Sequence, residues 1–177
     1  MISDHILREK AELCIKLARN ANLKIATAES CTGGLVAALL TSIEGASAVF
    51  DRGFVVYSNS AKQGMLGVSK RLLDVCGAVS PQVAAAMSAG IIKNSNADIG
   101  IAITGIAGPS GGSAEKPVGL VYVCCISRGQ EPKIVEKKFI GDRDQVRHQT
   151  AEQALSMIIT CIKELKIARY VSWHPSY

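Results

Sequence analysis

The chain has 177 residues, a net charge of +5, 48% hydrophobic residues and only 5% aromatics. This length fits one domain, and a core built from Ala, Ile, Val and Leu favours tight helix-on-sheet packing. Lys and Arg are spread from Arg8 to Arg169 without a dense run, so the clustered basic stripe of a nucleic-acid binder is absent. Six cysteines, with no CxxC pair, and three histidines without HxxxH or HxH spacing argue against a disulfide framework and a zinc site.

MISDHILREK mixes charges with apolar residues and does not read as a signal peptide. No apolar run approaches the roughly 20 residues of a membrane span. The expectation is a cytoplasmic protein that needs no metal or other cofactor and binds neither membrane nor nucleic acid.

In chain order, Ser3 to Asn22 predict an amphipathic helix, with Ser3 and Asp4 as cap candidates and Ile6, Leu13, Leu17 and Ala21 as its inner stripe. LKIATAES predicts a short strand, followed at once by a small, apolar helix from Thr32 to Thr41 that must be buried. FDRGFVVY, ending at Tyr57, is a second strand, and a helix starts at Asn59. Ser80 and Pro81 open a further helix to Lys93, with proline at the first helical position. ADIGIAIT, ending at Thr104, is apolar enough to be a central strand.

The glycine-rich GIAGPSGGSAEKPVG follows as a loop. VGLVYVCCIS and PKIVEKKFI, separated by RGQE, form a hairpin whose adjacent Cys124 and Cys125 should point to opposite faces. A last helix from Arg143 to Leu165 turns Val146, Ala154, Met157, Ile158, Cys161 and Leu165 inward. The predicted fold is α/β, a three-layer α/β/α sandwich around a mixed, mostly parallel sheet. Residues 1–166 make one domain, and 167–177 form a tail expected to be loosely ordered or to mediate self-association into a homo-oligomer.

Four segments are candidates for chemistry. At Glu29-Ser30-Cys31-Thr32-Gly33-Gly34 a strand runs into a helix, where open α/β sheets hold ligands. A hydroxyl there can attack a carbonyl while N–H groups around Thr32, Gly33 and Gly34 stabilise the oxyanion. Ser30 or Thr32 can equally be a plain helix cap, and Cys31 is a rival nucleophile. At Tyr57-Ser58-Asn59-Ser60-Ala61-Lys62, a lysine can act as base if burial lowers its pKa, with Tyr57 as an assisting hydroxyl; most lysines, though, sit in solvent.

Thr104-Gly105-Ile106-Ala107-Gly108 can present main-chain N–H groups to a phosphate or ribose, although neither a Walker A loop nor GxGxxG is present. In Gly141-Asp142-Arg143-Asp144-Gln145-Val146-Arg147, Asp142 is an N-cap candidate. Arg143 and Arg147 share a helix face that can clamp a phosphate, or can pair with Asp144 and Glu152.

AESCTGG, VVYSNSAK, GAVSPQVAAAMSAG, TGIAGPSGG with KPVG, and FIGDRDQVR occur in that order. With them the chain resembles the nicotinamide mononucleotide deamidase family, equivalently the C-terminal domain of competence/damage-inducible CinA proteins, over about residues 5 to 166. It looks like the stand-alone form.

The resemblance implies an α/β/α amidohydrolase that converts nicotinamide mononucleotide, its small-molecule partner, to nicotinate mononucleotide and ammonia without a metal. It implies Ser30 as nucleophile, Lys62 as base and Tyr57 as an assisting hydroxyl. The Thr104 to Gly108 loop, including Gly105 and Ala107, and Arg143 and Arg147 would bind the nucleotide. Ser60 stands where the family pattern has glutamate, and Ser110 where glycine is common. The alternative is a non-catalytic nucleotide-binding domain with a regulatory or interaction role tied to competence or DNA damage.

Overall fold

Ile99–Gly105 (β3) is buried along almost its whole length, as its apolar run requires. The computed structural model of the chain describes residues 5–173, with side chains through residue 167. Around β3, strands Ile25–Glu29 (β1), Phe50–Val55 (β2), Leu120–Ser127 (β4) and Lys133–Lys138 (β5) assemble in the order β2-β1-β3-β4-β5. β1 pairs parallel with both β2 and β3, while β4 is antiparallel to β3 and to β5. Only β4 therefore runs against the others.

Helices cover both faces. His5–Ala21 (α1), Leu35–Thr41 (α2) and Arg143–Trp173 (α6) pack on one side over Ile25, Ile99, Ile101, Ile103, Val121 and Val123. Asn59–Leu66 (α3), Lys70–Cys76 (α4) and Pro81–Lys93 (α5) pack on the other over Ala26, Ala28, Ala102 and Cys124. The alternating strand geometry sends Cys125 to the first core and Cys124 to the second. Small residues on the second face let α5 lie close to the sheet. Gly90 does the same between helices, because a Cβ there would sit 2.3 Å from the Leu66 carbonyl oxygen.

Two expectations need correction. On α1 the buried stripe is Leu7, Ala11, Cys14, Ile15 and Ala18; of the expected inner residues, Leu17 and Ala21 pack half-buried against this core, whereas Ile6 and Leu13 are exposed. Ile6 and Leu13 each precede a buried residue, Leu7 and Cys14, and one position is about 100° around a helix. Its cap candidates Ser3 and Asp4 lie outside the described residues.

At the other end, the backbone of α6 continues through Trp173, so the expected loose tail is helical that far and the boundary at 166/167 falls inside a helix. Residues 174–177 lie outside the described residues. The expected inner face holds, with Val146, Ala154, Met157, Ile158 and Cys161 buried and Leu165 packed against them. α4, which has a Ser69 N-cap, was not foreseen.

Candidate active site

Because β1, β2 and β3 are parallel, their carboxyl ends lie along one edge of the sheet. The chain leaves β1 toward β2 on one side and returns to β3 on the other, which makes the β1/β3 edge the place where an open sheet forms a crevice. A cavity of about 290 Å³ lies there, with Ser30, Lys62, Thr104, Ala107, Gly108 and Arg143 in its walls. This is near the lower end for small-ligand clefts.

Ser30 follows β1 directly, and its N–H donates to the Ile103 carbonyl of β3 at 3.0 Å, which pins the nucleophile candidate to the central strand. Lys62 comes from the first turn of α3. Ser58 caps that helix by accepting the Ala61 N–H, and the Lys62 side chain folds back under the strand end. Its Nζ lies 3.0 Å from Ser30 Oγ, 2.9 Å from the Val56 carbonyl oxygen and 3.2 Å from that of Tyr57.

Lys62 is only 1% exposed, and no carboxylate pairs with it among the described residues. Burial accordingly lowers its pKa, with nearby Cys31 opposing. A neutral amine has two N–H groups and one lone pair. With the two carbonyls taking both hydrogens, the lone pair is left for the hydroxyl hydrogen of Ser30.

Neither Ser30 nor Thr32 caps α2. The N-cap is Gly34, without a side-chain cap of its own. The fully buried Glu29 carboxylate accepts the N–H groups of Gly34 at 3.0 Å, Val36 at 3.1 Å and Ala37 at 2.8 Å. Gly33 N–H donates to the Ser30 carbonyl. The Gly33 and Gly34 donors expected to hold an oxyanion are thus already engaged.

The N–H groups of Cys31 and Thr32 have no main-chain acceptor among the described residues, and Cys31 lines the cavity beside Ser30. The Thr32 hydroxyl is buried without a partner among the described residues, and Thr32, Gly33 and Gly34 stand outside the cavity lining. The Cys31 thiol, in turn, is pushed up to about 11, chiefly by burial, so it stays protonated at neutral pH and is a poor nucleophile.

The Tyr57 phenol does not reach Ser30 or Lys62. It sits at the rim, 60% exposed, and accepts a hydrogen bond from Arg143 at 3.0 Å. The contribution of Tyr57 to the lysine comes instead through its carbonyl.

The two arginines part company as well. Arg143 lines the cavity and ties the Gly108 carbonyl, at 2.9 Å, to the Tyr57 rim. Arg147 donates to the Thr32 carbonyl at 3.0 Å and pairs with Asp144 at 3.3 Å, behind the site. Glu152 pairs with Lys10. Asp142 caps α6 as expected, exchanging bonds with Gln145 in a capping box.

The third wall is the loop after β3. Gly105, Ala107 and Gly108 line it together with Ser110 and Gly111, and the N–H groups of Ala107, Gly108, Ser110 and Gly111 have no acceptor among the described residues. Gly108 has φ 82°, and a Cβ there would lie 2.6 Å from Val118 Cγ1. The Thr104 hydroxyl donates to the Ala78 carbonyl at 2.7 Å, and Lys116 Nζ donates to the carbonyls of Cys76 and Val79. These bonds fasten the Ala78–Val79 wall, which sequence reasoning missed along with Glu29. No local signal marks Glu29, because its carboxylate reaches forward five to eight residues to the start of α2.

Residues 7–162 match the family model described as the CinA C-terminal domain. The chain belongs to the CinA C-terminal domain family. It is 48% identical over 147 residues to a putative competence-damage inducible protein of Caldicellulosiruptor bescii, covering 83% of this chain and 36% of that protein. A CinA-like protein of Syntrophobacter fumaroxidans is also 48% identical, over 79% of this chain and 33% of its own length. The chain thus spans about a third of the curated relatives it matches.

The crystal structure of competence/damage inducible protein CihA from Agrobacterium tumefaciens superposes with a TM-score of 0.89 at 45% identity, covering 90% of this chain and 98% of that one. A CinA-superfamily structure from Klebsiella pneumoniae gives 0.85 at 34% identity, over 89% and 98%. Among the described residues of this CinA-family chain, no helix is long and apolar enough to cross a membrane.

Proposed function

We propose that the chain is an amidohydrolase that deamidates nicotinamide mononucleotide, with Ser30 as nucleophile and Lys62 as base. The observation that carries this reading is the 3.0 Å contact between a serine hydroxyl at a strand end and a buried lysine amine that has no counter-ion among the described residues. That pairing provides an activated nucleophile without histidine.

Ser30 Oγ attacks the carboxamide carbon as its hydrogen passes to neutral Lys62. The Cys31 N–H, adjacent to the nucleophile, stabilises the developing oxyanion, a contribution of about 3 kcal/mol for a well-placed donor. Protonated Lys62 then delivers its hydrogen to the departing ammonia. Water hydrolyses the acyl-enzyme by the same steps reversed. Arg143 and the free N–H groups of the 105–111 loop bind the ribose and phosphate, whose binding energy orients the ring.

The test is ammonia release from nicotinamide mononucleotide by the purified chain. Stoichiometric ammonia and nicotinate mononucleotide are expected, and a chain that binds the nucleotide without releasing ammonia would refute the reading.

A further inference from the structure

Two stretches of chain that belong to different elements bound much of the cavity. One runs from Thr104, at the end of β3, to Gly119, just before β4. It brings Ala107, Gly108, Ser110 and Gly111, whose N–H groups have no main-chain acceptor among the described residues. The other is the turn 77–80 between α4 and α5, from which Ala78 and Val79 line the cavity. Among the described residues, three hydrogen bonds join the two stretches. Thr104 makes one, at the root of the loop, to the Ala78 carbonyl. Lys116 makes the other two, from Nζ to the carbonyls of Cys76 at 2.7 Å and Val79 at 2.8 Å.

The surroundings of Lys116 are fitted to this contact. Its N–H donates to Ser113 Oγ and its carbonyl accepts the Ser113 N–H, which closes the tip of the loop on itself. The base is closed separately, by the Ile106 N–H to the Leu120 carbonyl and the Gly119 N–H to the Ile106 carbonyl. The Lys116 side chain is half-buried, and a Cβ on Gly77 would lie 3.0 Å from its amine. Glycine at 77 therefore leaves the amine its room. Cys76 ends α4, where carbonyls lack helical partners and the helix dipole favours a cation.

Neither Lys116 nor Gly77 lines the cavity, so the amine acts on a bound ligand only through the chain it holds. We propose that Lys116 is a positioning residue for nucleotide binding. Its two bonds fix the loop against the 77–80 turn, and with that the affinity for a phosphate-bearing pyridine nucleotide. Main-chain N–H groups bind an anion well only when they converge on one place, and a glycine-rich loop does not hold such a shape unaided. The coupling runs both ways: a ligand that orders the loop also holds Lys116 against the end of α4. The ligand's identity rests on the deamidase reading, whereas the clasp itself does not depend on Ser30 chemistry.

Calorimetric titration of the full chain with nicotinate mononucleotide tests this, beside ammonia release and hydrogen exchange. Lys116→Met should weaken mononucleotide binding and raise KM about tenfold or more, with kcat and its rise with pH kept within about twofold. Lys116→Arg, which keeps the charge and the donors, should recover most of the loss. In the wild-type chain, saturating nicotinate mononucleotide should slow exchange of the Gly77 and Ser113 N–H groups, which lie outside the cavity lining. Lys116→Met should lose that remote protection. Unchanged affinity in folded Lys116→Met, a fall in kcat in place of the rise in KM, or wild-type protection absent or confined to the cavity lining would overturn the proposal. The wild-type exchange map decides even if the variant does not fold. Failure of the deamidase reading would look different: the mononucleotide would bind with these same dependences and no ammonia would be released.

Discussion

The Lys62 amine lies 3.0 Å from the Ser30 hydroxyl and is otherwise held only by the carbonyls of Val56 and Tyr57. All three contacts come from the ends of β1 and β2, so the amine is positioned by the sheet itself. A lysine in this position loses hydration without gaining a carboxylate, which favours the neutral form. Ser30→Ala and Lys62→Met should each reduce deamidation by about 10³-fold or more, while far-UV circular dichroism remains that of the native chain. Retention of substantial turnover in either variant would contradict the assignment.

The sign of the pH dependence follows from the base being the neutral amine. As pH rises through the pKa of Lys62, which burial holds below 10.5, kcat/KM should climb and then level off. Lys62→Met should lack this limb. The same shift governs stability. Between the folded pKa and 10.5 the unfolded chain carries a proton that the folded chain lacks, so wild-type stability relative to Lys62→Met should rise with pH. The slope can be no more than about 1.4 kcal/mol per pH unit, and it disappears above 10.5. Urea titrations of both proteins at several pH values check this.

Cys31→Ala should keep most of the activity, because burial pushes that thiol up to about 11 and only its main-chain N–H enters the mechanism. Loss of activity comparable to Ser30→Ala, measured as ammonia release, would move the nucleophile one residue along.

Glu29 supplies the α2 cap that no side chain at residues 30–34 provides. Glu29→Ala leaves the N–H groups of Gly34, Val36 and Ala37 without their acceptor inside the protein, and should cost about 2–4 kcal/mol in denaturant titration. Glu29→Gln, which keeps one acceptor oxygen, should cost less.

Arg143 and Arg147 separate by function. Arg143→Ala should raise KM for the mononucleotide about tenfold or more, by removing a cation from the cavity wall. Arg147→Ala should leave KM within about twofold and show instead a stability loss of about 1 kcal/mol, since its guanidinium serves the Thr32 carbonyl. Steady-state kinetics beside thermal melts distinguish the two.

The layered fold was legible because its signals are periodic. β3 announces itself as an apolar run, α5 by Ser80 and Pro81, and the β4–β5 hairpin by paired strands around RGQE. Errors arose where the pattern was ambiguous by one position, as for Ile6 and Leu13 on α1, or where a helix such as α4 spans too few turns for a period to register.

In the site, Ser30, Lys62 and the 105–108 loop were readable because strand ends and glycines mark them. The Glu29 cap was not, since a carboxylate that reaches forward over five to eight residues has no local signature. Nor could spacing reveal that Arg143 and Arg147, on one helix face, serve different partners. Their separation is set by which loop each meets, Gly108 or Thr32, and that is a tertiary fact.

The central claim is that the Ser30 oxygen forms the bond to the substrate carbonyl. Acid-quenching the chain milliseconds after mixing with nicotinamide mononucleotide, followed by peptide mass spectrometry, tests it most directly. The account predicts an acyl adduct on the peptide that carries Ser30, with the modification on that serine and absent from Ser30→Ala. An adduct on Cys31, or continued turnover by Ser30→Ala, would contradict it.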